Sequence, residues 1–413
     1  MFLTNQQALE IRQQFNSPTF VNSALLMRQA AEEALAVQAP FGLTVRYALK
    51  ANSVRGVIQL FDQLDLHFDA SSIFEVQRAI AAGIKSEKIQ LTAQELPTDR
   101  SDWPIGVQVN ACSLQQISQL AKLLPVDQTK RSIGLRINPG IGSGHHIKTM
   151  VGGSYAGFGI WHEDLAEARA QAQQHGLQVT RLHAHVGSGT AIDMTKKVIQ
   201  ELLKIADHIP AVQVLNLGGG FPVARTSDQT AVAINTVLNA PCQLLTEYAR
   251  RSGRQLRLEI EPGAYLMANA GVLLASVVDV KRSGPNWFVV LDTGLTEIMR
   301  PTLYGAQHPI RLVPAAGHCE SVSDFVVIGH CCESGDVLTV ADGNGDQPEA
   351  RALTRPRPGD IMLIGGTGAY CSAMCAKNYN SFPEAAEVML TETGDYKLIR
   401  RRQSLAQLIV NEL

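Results

Sequence analysis

The 413-residue sequence predicts an α/β protein: a (β/α)₈ TIM-type barrel followed by a mostly antiparallel β domain. Three observations carry this reading. From residue 44 a short apolar strand, a polar turn and an amphipathic helix recur. The recurrence yields eight strands, starting near Thr44, Leu66, Lys88, Val107, Ser132, Val179, Val212 and Gln255. Downstream of about residue 270 the helical period gives way to short strands and turns.

The first strand is marked by the β-branched, aromatic and aliphatic residues Thr44, Val45, Tyr47 and Leu49. Between the later strands, helical spacing of apolar residues covers 73–82, 114–124, 165–174 and 194–209. Gly83, Gly176 and Pro210 stop three of these helices. Strand and helix in alternation imply parallel strands joined by right-handed crossovers. An open doubly wound sheet is the competing arrangement, and a count of eight favours closure into a barrel. The barrel is expected over 22–270. The β domain is expected over 271–413, with strands at 272–280, 287–292, 323–328, 360–364 and 387–391. Helical spacing returns there only at 368–376 and 404–413, and residues 1–21 are expected to join this domain.

Composition narrows the function classes. A hydrophobic share of 45% and a charged share of 18% fit a globular enzyme with a large core. A formal net charge of −2 offers no electrostatic footing for nucleic acid or an anionic membrane. No run of about 18 apolar residues is present to span a bilayer. Residues 1–15 are polar and helical in pattern, without a basic start and apolar core, so a cytoplasmic location is expected. The seven cysteines are scattered and odd in number, which implies reduced thiols. His318-Cys319 and His330-Cys331-Cys332 lack the paired Cys-x-x-Cys knuckles of a zinc site, and no metal is expected.

Polar residues collect at the predicted C-terminal strand ends, where barrels of this kind place their chemistry. Lys50 closes the first strand and Asp69 the second, while Arg136 and Asn138 close the fifth. His185-Val186-Gly187-Ser188-Gly189 follows the sixth, Gly218-Gly219-Gly220-Phe221 the seventh and Glu261-Pro262-Gly263 the eighth. A strand-end lysine can reach solvent, or its amine can condense with an aldehyde cofactor. A glycine triplet can be a turn, or its bare N–H groups can cradle a phosphate. Glu261 reads as a salt-bridge carboxylate or as the partner of a protonated pyridine nitrogen, and His185 alone reads as a core histidine.

The motifs Tyr47-Ala48-Leu49-Lys50-Ala51-Asn52, His185 to Gly189, Gly218 to Pro222, Glu261-Pro262-Gly263, Cys332-Glu333-Ser334-Gly335-Asp336 and Gly368-Ala369-Tyr370 occur in one order. Together, from about residue 44 to 383, they resemble the pyridoxal-phosphate decarboxylases of the alanine-racemase-like fold, the group that includes diaminopimelate and ornithine decarboxylases. Asp292-Thr293-Gly294, Arg300-Pro301-Thr302-Leu303-Tyr304 and Asn378-Tyr379-Asn380-Ser381 are most similar to the diaminopimelate branch. The resemblance implies pyridoxal 5'-phosphate as cofactor and decarboxylation of an amino acid, with meso-diaminopimelate giving L-lysine. A related decarboxylase for ornithine, lysine or a specialised amino acid is the alternative, ahead of a racemase or a non-catalytic cofactor-binding barrel.

By the same resemblance Lys50 holds the cofactor aldehyde, Asp69 belongs to the cofactor site and His185 stacks on the ring. Ser188, Gly218, Gly219, Gly220 and Tyr370 bind the phosphate region, and Glu261 faces the pyridine nitrogen. Arg300, Tyr304, Glu333 and Tyr370 contact substrate, and Cys332 protonates the α-carbon. A homodimer with the cysteine stretch supplied by the partner is implied as well. Two positions depart from the family pattern: Glu-Pro-Gly-Arg reads Glu261-Pro262-Gly263-Ala264, and Gly157 replaces a basic residue before Phe158.

Overall fold

The fold was taken from a computed structural model, which describes residues 1–124, 131–142, 144, 147–189, 192–315 and 321–413. His318 and Cys319 lie outside the described residues. The chain divides into two compact units. One comprises Gln29–Val223 and Ala231–Tyr265. The other comprises Met1–Arg28, Ala224–Thr230 and Leu266–Leu413.

Strand β1 (Thr19–Ser23) belongs to the second of these units. The barrel unit begins with β2 (Leu43–Ala48), β3 (His67–Ala70), β4 (Ile89–Leu91), β5 (Gln108–Ala111) and β6 (Ser132–Asn138). After the two-residue β7 (Ile160–Trp161) come β8 (Gln178–His183), β9 (Val214–Asn216) and β10 (Arg257–Ile260). All pairings are parallel, in the order β5-β4-β3-β2-β10-β9-β8-β6, and β5 pairs with β6 to close the ring of eight. β7 attaches outside the ring to β6. The closed ring is the one the strand count predicts, and the helices fall where their spacing places them, at Ile73–Ala81, Leu114–Leu123 and Leu165–Gln174. Ser72 and Ser113 cap two of them by accepting from the backbone N–H of Glu75 and Gln116, each at 3.1 Å.

The barrel interior is polar for its class. Arg46 of β2 donates to both carboxylate oxygens of Glu259 on β10, at 3.1 and 2.9 Å, and Arg181 of β8 adds a third bond at 3.0 Å. Burial alone would raise the Glu259 pKa, and the two guanidiniums reverse this and bring it down to about 2. Gly134 on β6 makes room for this polar filling, since a Cβ there would collide with the Asn110 amide.

In the second unit β1 sits between β11 (Gly271–Ser283), antiparallel, and β19 (Ala386–Leu390), parallel. The sheet continues through β12 (Asn286–Leu291), β14 (Val322–Ile328) and β17 (Arg351–Thr354) on one side and β20 (Tyr396–Arg400) on the other. β18 (Ile361–Gly365) pairs with both β11 and β13 (Ile310–Val313), and β15 (Val340–Ala341) with β16 (Asn344–Pro348) makes a separate pair. Among the described residues only β1–β19 and β12–β14 are parallel in this sheet, which is mostly antiparallel. Phe20, Leu273, Val289, Leu291, Phe325 and Val327 build its core. The helix Asn5–Phe15 starts with a capping box between Thr4 and Gln7.

The helix expected over 368–376 does not form; the segment is a run of turns. Gly366 at φ +68° and Tyr370 at φ +57° stand in the left-handed region, which interrupts any i to i+4 ladder. Of 404–413, only Leu405–Leu408 is helical. Among the described residues no helix is long and apolar enough to cross a membrane.

Candidate active site

In the barrel unit the strand register lines up one polar layer. Asp69 pairs with Ala48 on β2 and Gln90 on β4, while Asn216 on β9 pairs with His183 on β8 and Glu259 on β10. Lys50 follows two residues after Ala48, on the turn Leu49–Ala51, and is exposed. The Tyr47 hydroxyl donates to the Asn52 carbonyl at 2.8 Å and ties down the far side of that turn. The Lys50 ammonium is close enough to favour the charged forms of Asp69, Glu75 and Glu261 and to oppose protonation of His185.

Glu261 is the centre of this layer. Gln90 Nε2 and Asn216 Nδ2 each donate to its Oε1 at 2.7 Å, and His183 Nε2 lies 3.2 Å from its Oε2. Burial opposes ionisation, but His183, His185 and Lys50 outweigh it and hold the carboxyl far below its usual range. Asp69 has the opposite balance. Burial first and the Glu261 charge second raise its pKa well above the ordinary value, with Lys50 in opposition. Two adjacent buried carboxyls thus favour one charge, carried by Glu261.

His185 is half-buried, and burial and then Lys50 keep it neutral. Its Nδ1 accepts from the Gly219 N–H at 3.2 Å. The glycine loop after β9 is fitted tightly around it: a Cβ on Gly218 would lie 2.6 Å from His185 Cβ, and one on Gly219 would lie 2.5 Å from the Glu261 carbonyl. The Gly218 N–H donates to Asn216 Oδ1 at 2.8 Å, and the Glu261 N–H donates to the Gly218 carbonyl at 2.8 Å. Ser188 is exposed, and its N–H donates to the Thr149 carbonyl at 3.3 Å. Lys50, Asp69, His185, Gly218, Gly219 and Glu261 are therefore linked by contacts or fields. Gln90, His183 and Asn216 complete the same layer and were not singled out from sequence; a buried polar residue inside a barrel strand was the available signal.

These features suit pyridoxal phosphate: a neutral flat imidazole, a buried carboxylate held ionised, an exposed lysine whose charge acts on both, and a glycine loop without side chains packed against the imidazole.

The remaining sequence candidates lie in the second unit. Arg300 and Tyr304 share the short helix Arg300–Tyr304, with the guanidinium carbon 5.7 Å from the Tyr304 ring centre. Tyr370 occupies the left-handed turn described above. Cys332 is exposed, and its N–H donates to Asn380 Oδ1 at 2.9 Å. Cys331 beside it donates its N–H to Asp336 Oδ2 at 2.8 Å, and burial with the Asp336 charge pushes its thiol up to about 12. Asp336 also accepts from the Leu295 N–H at 2.8 Å, and a Cβ on Gly294 or Gly329 would meet its carboxylate at 2.2 Å. Glu333 is exposed. Beneath this loop Glu297 is buried, accepting from Thr293 Oγ1 at 2.9 Å and Thr296 Oγ1 at 2.6 Å. Among the described residues no group of three or more His, Cys, Asp or Glu side chains could hold a metal.

Residues 26–268 match the family described as pyridoxal-dependent decarboxylase, pyridoxal binding domain. The chain is 36% identical to diaminopimelate decarboxylase of Streptomyces coelicolor, over 89% of this chain and 84% of that one. It is 34% identical to the Escherichia coli K12 diaminopimelate decarboxylase over 100% and 97% of the two chains. A crystal structure of diaminopimelate decarboxylase superposes with a TM-score of 0.90 at 33% identity, covering 100% of this chain and 97% of that one. The Helicobacter pylori enzyme complexed with L-lysine superposes with a TM-score of 0.86 at 27% identity, over 98% of each chain.

Proposed function

Because the chain belongs to the pyridoxal-dependent decarboxylases, we propose that it removes the carboxylate adjacent to one amino group of meso-diaminopimelate, releasing carbon dioxide and L-lysine. The observation that carries the reading from the chain itself is Glu261, a buried carboxylate that His183, His185 and Lys50 hold ionised and to which Gln90 and Asn216 donate.

When bound, pyridoxal phosphate supplies an electron sink for the pair left behind as the carboxylate departs. Lys50 would hold the cofactor aldehyde through its amine. Glu261 would face the ring nitrogen and favour its protonated form, its own charge being preorganised by Gln90, Asn216 and His183. An arginine at that place would leave the nitrogen unprotonated, which is why the carboxylate favours decarboxylation over racemisation. Neutral His185 would pack on the ring, Asp69 would line the cofactor site beside Glu261, and the loop Gly218 to Gly220 with Ser188 and Tyr370 would hold the phosphate region. Arg300, Tyr304, Glu333 and Tyr370 bind substrate. Cys332 Sγ delivers a proton to the α-carbon; Cys331 is set aside because its thiol is raised by burial and by Asp336.

The exposed Cys332 and Glu333 support a homodimer in which the partner presents this stretch. Mixing Lys50→Ala with Cys332→Ser subunits tests it. If each site takes Lys50 from one chain and Cys332 from the other, random pairing restores roughly a quarter of wild-type activity; no recovery would place both on one chain. A cytoplasmic location is proposed on the same footing as the biosynthetic reaction and the unpaired thiols of Cys112, Cys242, Cys331, Cys332, Cys371 and Cys375.

A second reading, decarboxylation of ornithine, lysine or a specialised amino acid, is favoured by Ala264, which supplies no cation for a distal carboxylate. Carbon dioxide release from cofactor-loaded protein offered meso-diaminopimelate, lysine and ornithine in parallel separates the two. Release from diaminopimelate with lysine as product supports the first; release from lysine or ornithine alone replaces it with the second.

A further inference from the structure

Cys332 lies on the connection between β14 and β15, and two of the holds on that loop are made to its backbone. Asp336 Oδ2 accepts the Cys331 N–H, and Asn380 Oδ1 accepts the Cys332 N–H at 2.9 Å. A further hold runs through the side chain of His330, two residues before Cys332 and without a part in the proposed reaction. The His330 N–H donates to the Thr293 carbonyl at 3.2 Å. Its Nε2 lies 2.8 Å from Thr296 Oγ1, and its ring stacks on Phe382, with centres 3.6 Å apart and planes 5° from parallel.

Proton counting fixes the direction of these bonds. Thr296 has one hydroxyl proton, and it is donated to Glu297 Oε2 at 2.6 Å, where Thr293 Oγ1 donates as well. The Thr296 oxygen therefore accepts from His330, which carries its proton on Nε2. Burial lowers the His330 pKa to about 4, so the ring is neutral near pH 7 and holds that single proton. One directed chain results, from His330 through Thr296 to Glu297, and it ends on an acid that is only 1% exposed. Thr296 is buried too, so a lost link in this chain is not replaced by bulk water.

The stack leads back to Cys332. Phe382 follows the turn Tyr379–Ser381, in which Asn380 and Ser381 stand at φ +52° and +61°, a region that non-glycine residues rarely adopt. Asn378 Nδ2 donates to the Phe382 carbonyl at 3.0 Å and closes that turn. Such backbone persists where surrounding contacts impose it, and the His330 ring bears on the same turn that presents Asn380 to the Cys332 N–H.

We propose that His330 and Thr296 are positioning residues for Cys332: the chain to Glu297 and the stack on Phe382 fix the loop so that the thiol delivers its proton to the α-carbon and to no other. The proposal rests on the decarboxylase reading, in which Cys332 is the acid. A displaced thiol lets the proton arrive at the carbon of the cofactor aldehyde instead. Carbon dioxide still leaves, the substrate nitrogen stays on the cofactor as its amine form, and the shortened substrate departs as an aldehyde. One water is lost on condensation and one is taken up on release, so atoms and electrons balance without an oxidant.

Two readouts test this on full-length, cofactor-loaded wild type, Thr296→Val, Thr296→Ser and His330→Phe. The first is the fraction of turnovers that ends in aldehyde and amine-form cofactor, measured by chromatography. The second is deuterium uptake by peptides covering 329–336, measured by mass spectrometry without substrate. Valine keeps the shape of Thr296 and removes its hydroxyl, while phenylalanine keeps the stack of His330 and removes its donor. Each should raise the aldehyde fraction about tenfold or more and quicken exchange at 329–336 about tenfold, with KM within about threefold and other peptides within about twofold of wild type. Thr296→Ser, which keeps the hydroxyl, should return both readouts to within about twofold of wild type. An aldehyde fraction unchanged in both Thr296→Val and His330→Phe, exchange that quickens throughout 266–413, or no recovery in Thr296→Ser would each overturn the proposal. If meso-diaminopimelate, lysine and ornithine all release no carbon dioxide, the decarboxylase reading falls by itself. Exchange at 329–336 then decides alone: faster uptake in both variants keeps the tether, and unchanged uptake removes it.

Discussion

At the residue scale the most informative group is one that sequence could not mark. Glu297 reads as an ordinary acid on a short turn, yet burial raises it to about 7, with the hydroxyls of Thr296 and Thr293 opposing. In an unfolded chain it would titrate near 4.5, so between about pH 4.5 and 7 the folded state holds the extra proton. Stability from this group is therefore complete below about pH 4.5 and is lost as pH rises through 7, on the order of 3 kcal/mol in all. Urea unfolding of wild type and Glu297→Gln across that range should show a falling wild-type curve and a flatter variant curve; parallel curves would remove the assignment. The neighbouring cysteines separate in the same region. Cys331→Ser should keep the decarboxylation rate within about threefold, whereas Cys332→Ser should lose about a hundredfold or more. The reverse order of losses would make Cys331 the acid. Lys50, His185 and Glu261 stood out in the sequence because each is an unexpected residue type at a strand end. Gln90, Asn216 and His183 did not, because a polar residue within a strand acquires its meaning only once the ring closes around it.

At the scale of elements, what sequence could read was what is local. Apolar residues at helical or alternating spacing report on a few neighbours, and the eight barrel strands and the helices between them follow from that spacing. The run 368–376 misled because its spacing is helical while Tyr370 within it takes left-handed backbone, which apolar spacing does not report. The parallel seat of β1 beside β19 is equally unreadable, since Val21 and its partner Val388 share no local signal. The glycine loop after β9 offers a direct test at this scale. Gly219 has ordinary backbone torsions, so an alanine is excluded by space alone: its Cβ would lie 2.5 Å from the Glu261 carbonyl, which cannot move without shifting the end of β10. Gly219→Ala should cost about 1–3 kcal/mol in stability and weaken pyridoxal phosphate binding about tenfold or more, as read by chemical denaturation and absorbance titration. Unchanged cofactor affinity would mean that the loop does not carry the phosphate.

At the scale of the whole molecule, the polar barrel interior has an energetic consequence. A ring filled with Arg46, Gln90, Asn110, Arg181, Asn216, Glu259 and Glu261 buries less apolar surface than one filled with Val, Ile and Leu, and it holds adjacent buried carboxyls at Asp69 and Glu261. Networks of this kind are stable only while every member is satisfied, and the two carboxyls are better satisfied when a cation is added to their layer. A protonated pyridine nitrogen facing Glu261 is such a cation, so the cofactor should act on the fold as well as on the reaction. A ligand that binds only the folded state at a hundredfold excess over its dissociation constant adds about 2.7 kcal/mol of stability. For a unit of this size that corresponds to a rise of roughly 5–10 °C in melting temperature. Raising pyridoxal phosphate from its dissociation constant to a hundred times that value should therefore move the wild-type transition upward in proportion to the logarithm of concentration. Lys50→Ala should need far more cofactor for the same rise, because the covalent hold proposed for Lys50 is then lost while the glycine loop remains. Glu261→Gln should show a smaller rise at equal cofactor concentration, since a neutral amide gains nothing from the ring proton and binds the cofactor more weakly. A melting temperature that ignores the cofactor in all three proteins would mean that the polar layer is satisfied by its own hydrogen bonds, and Glu261 would then be a structural carboxylate.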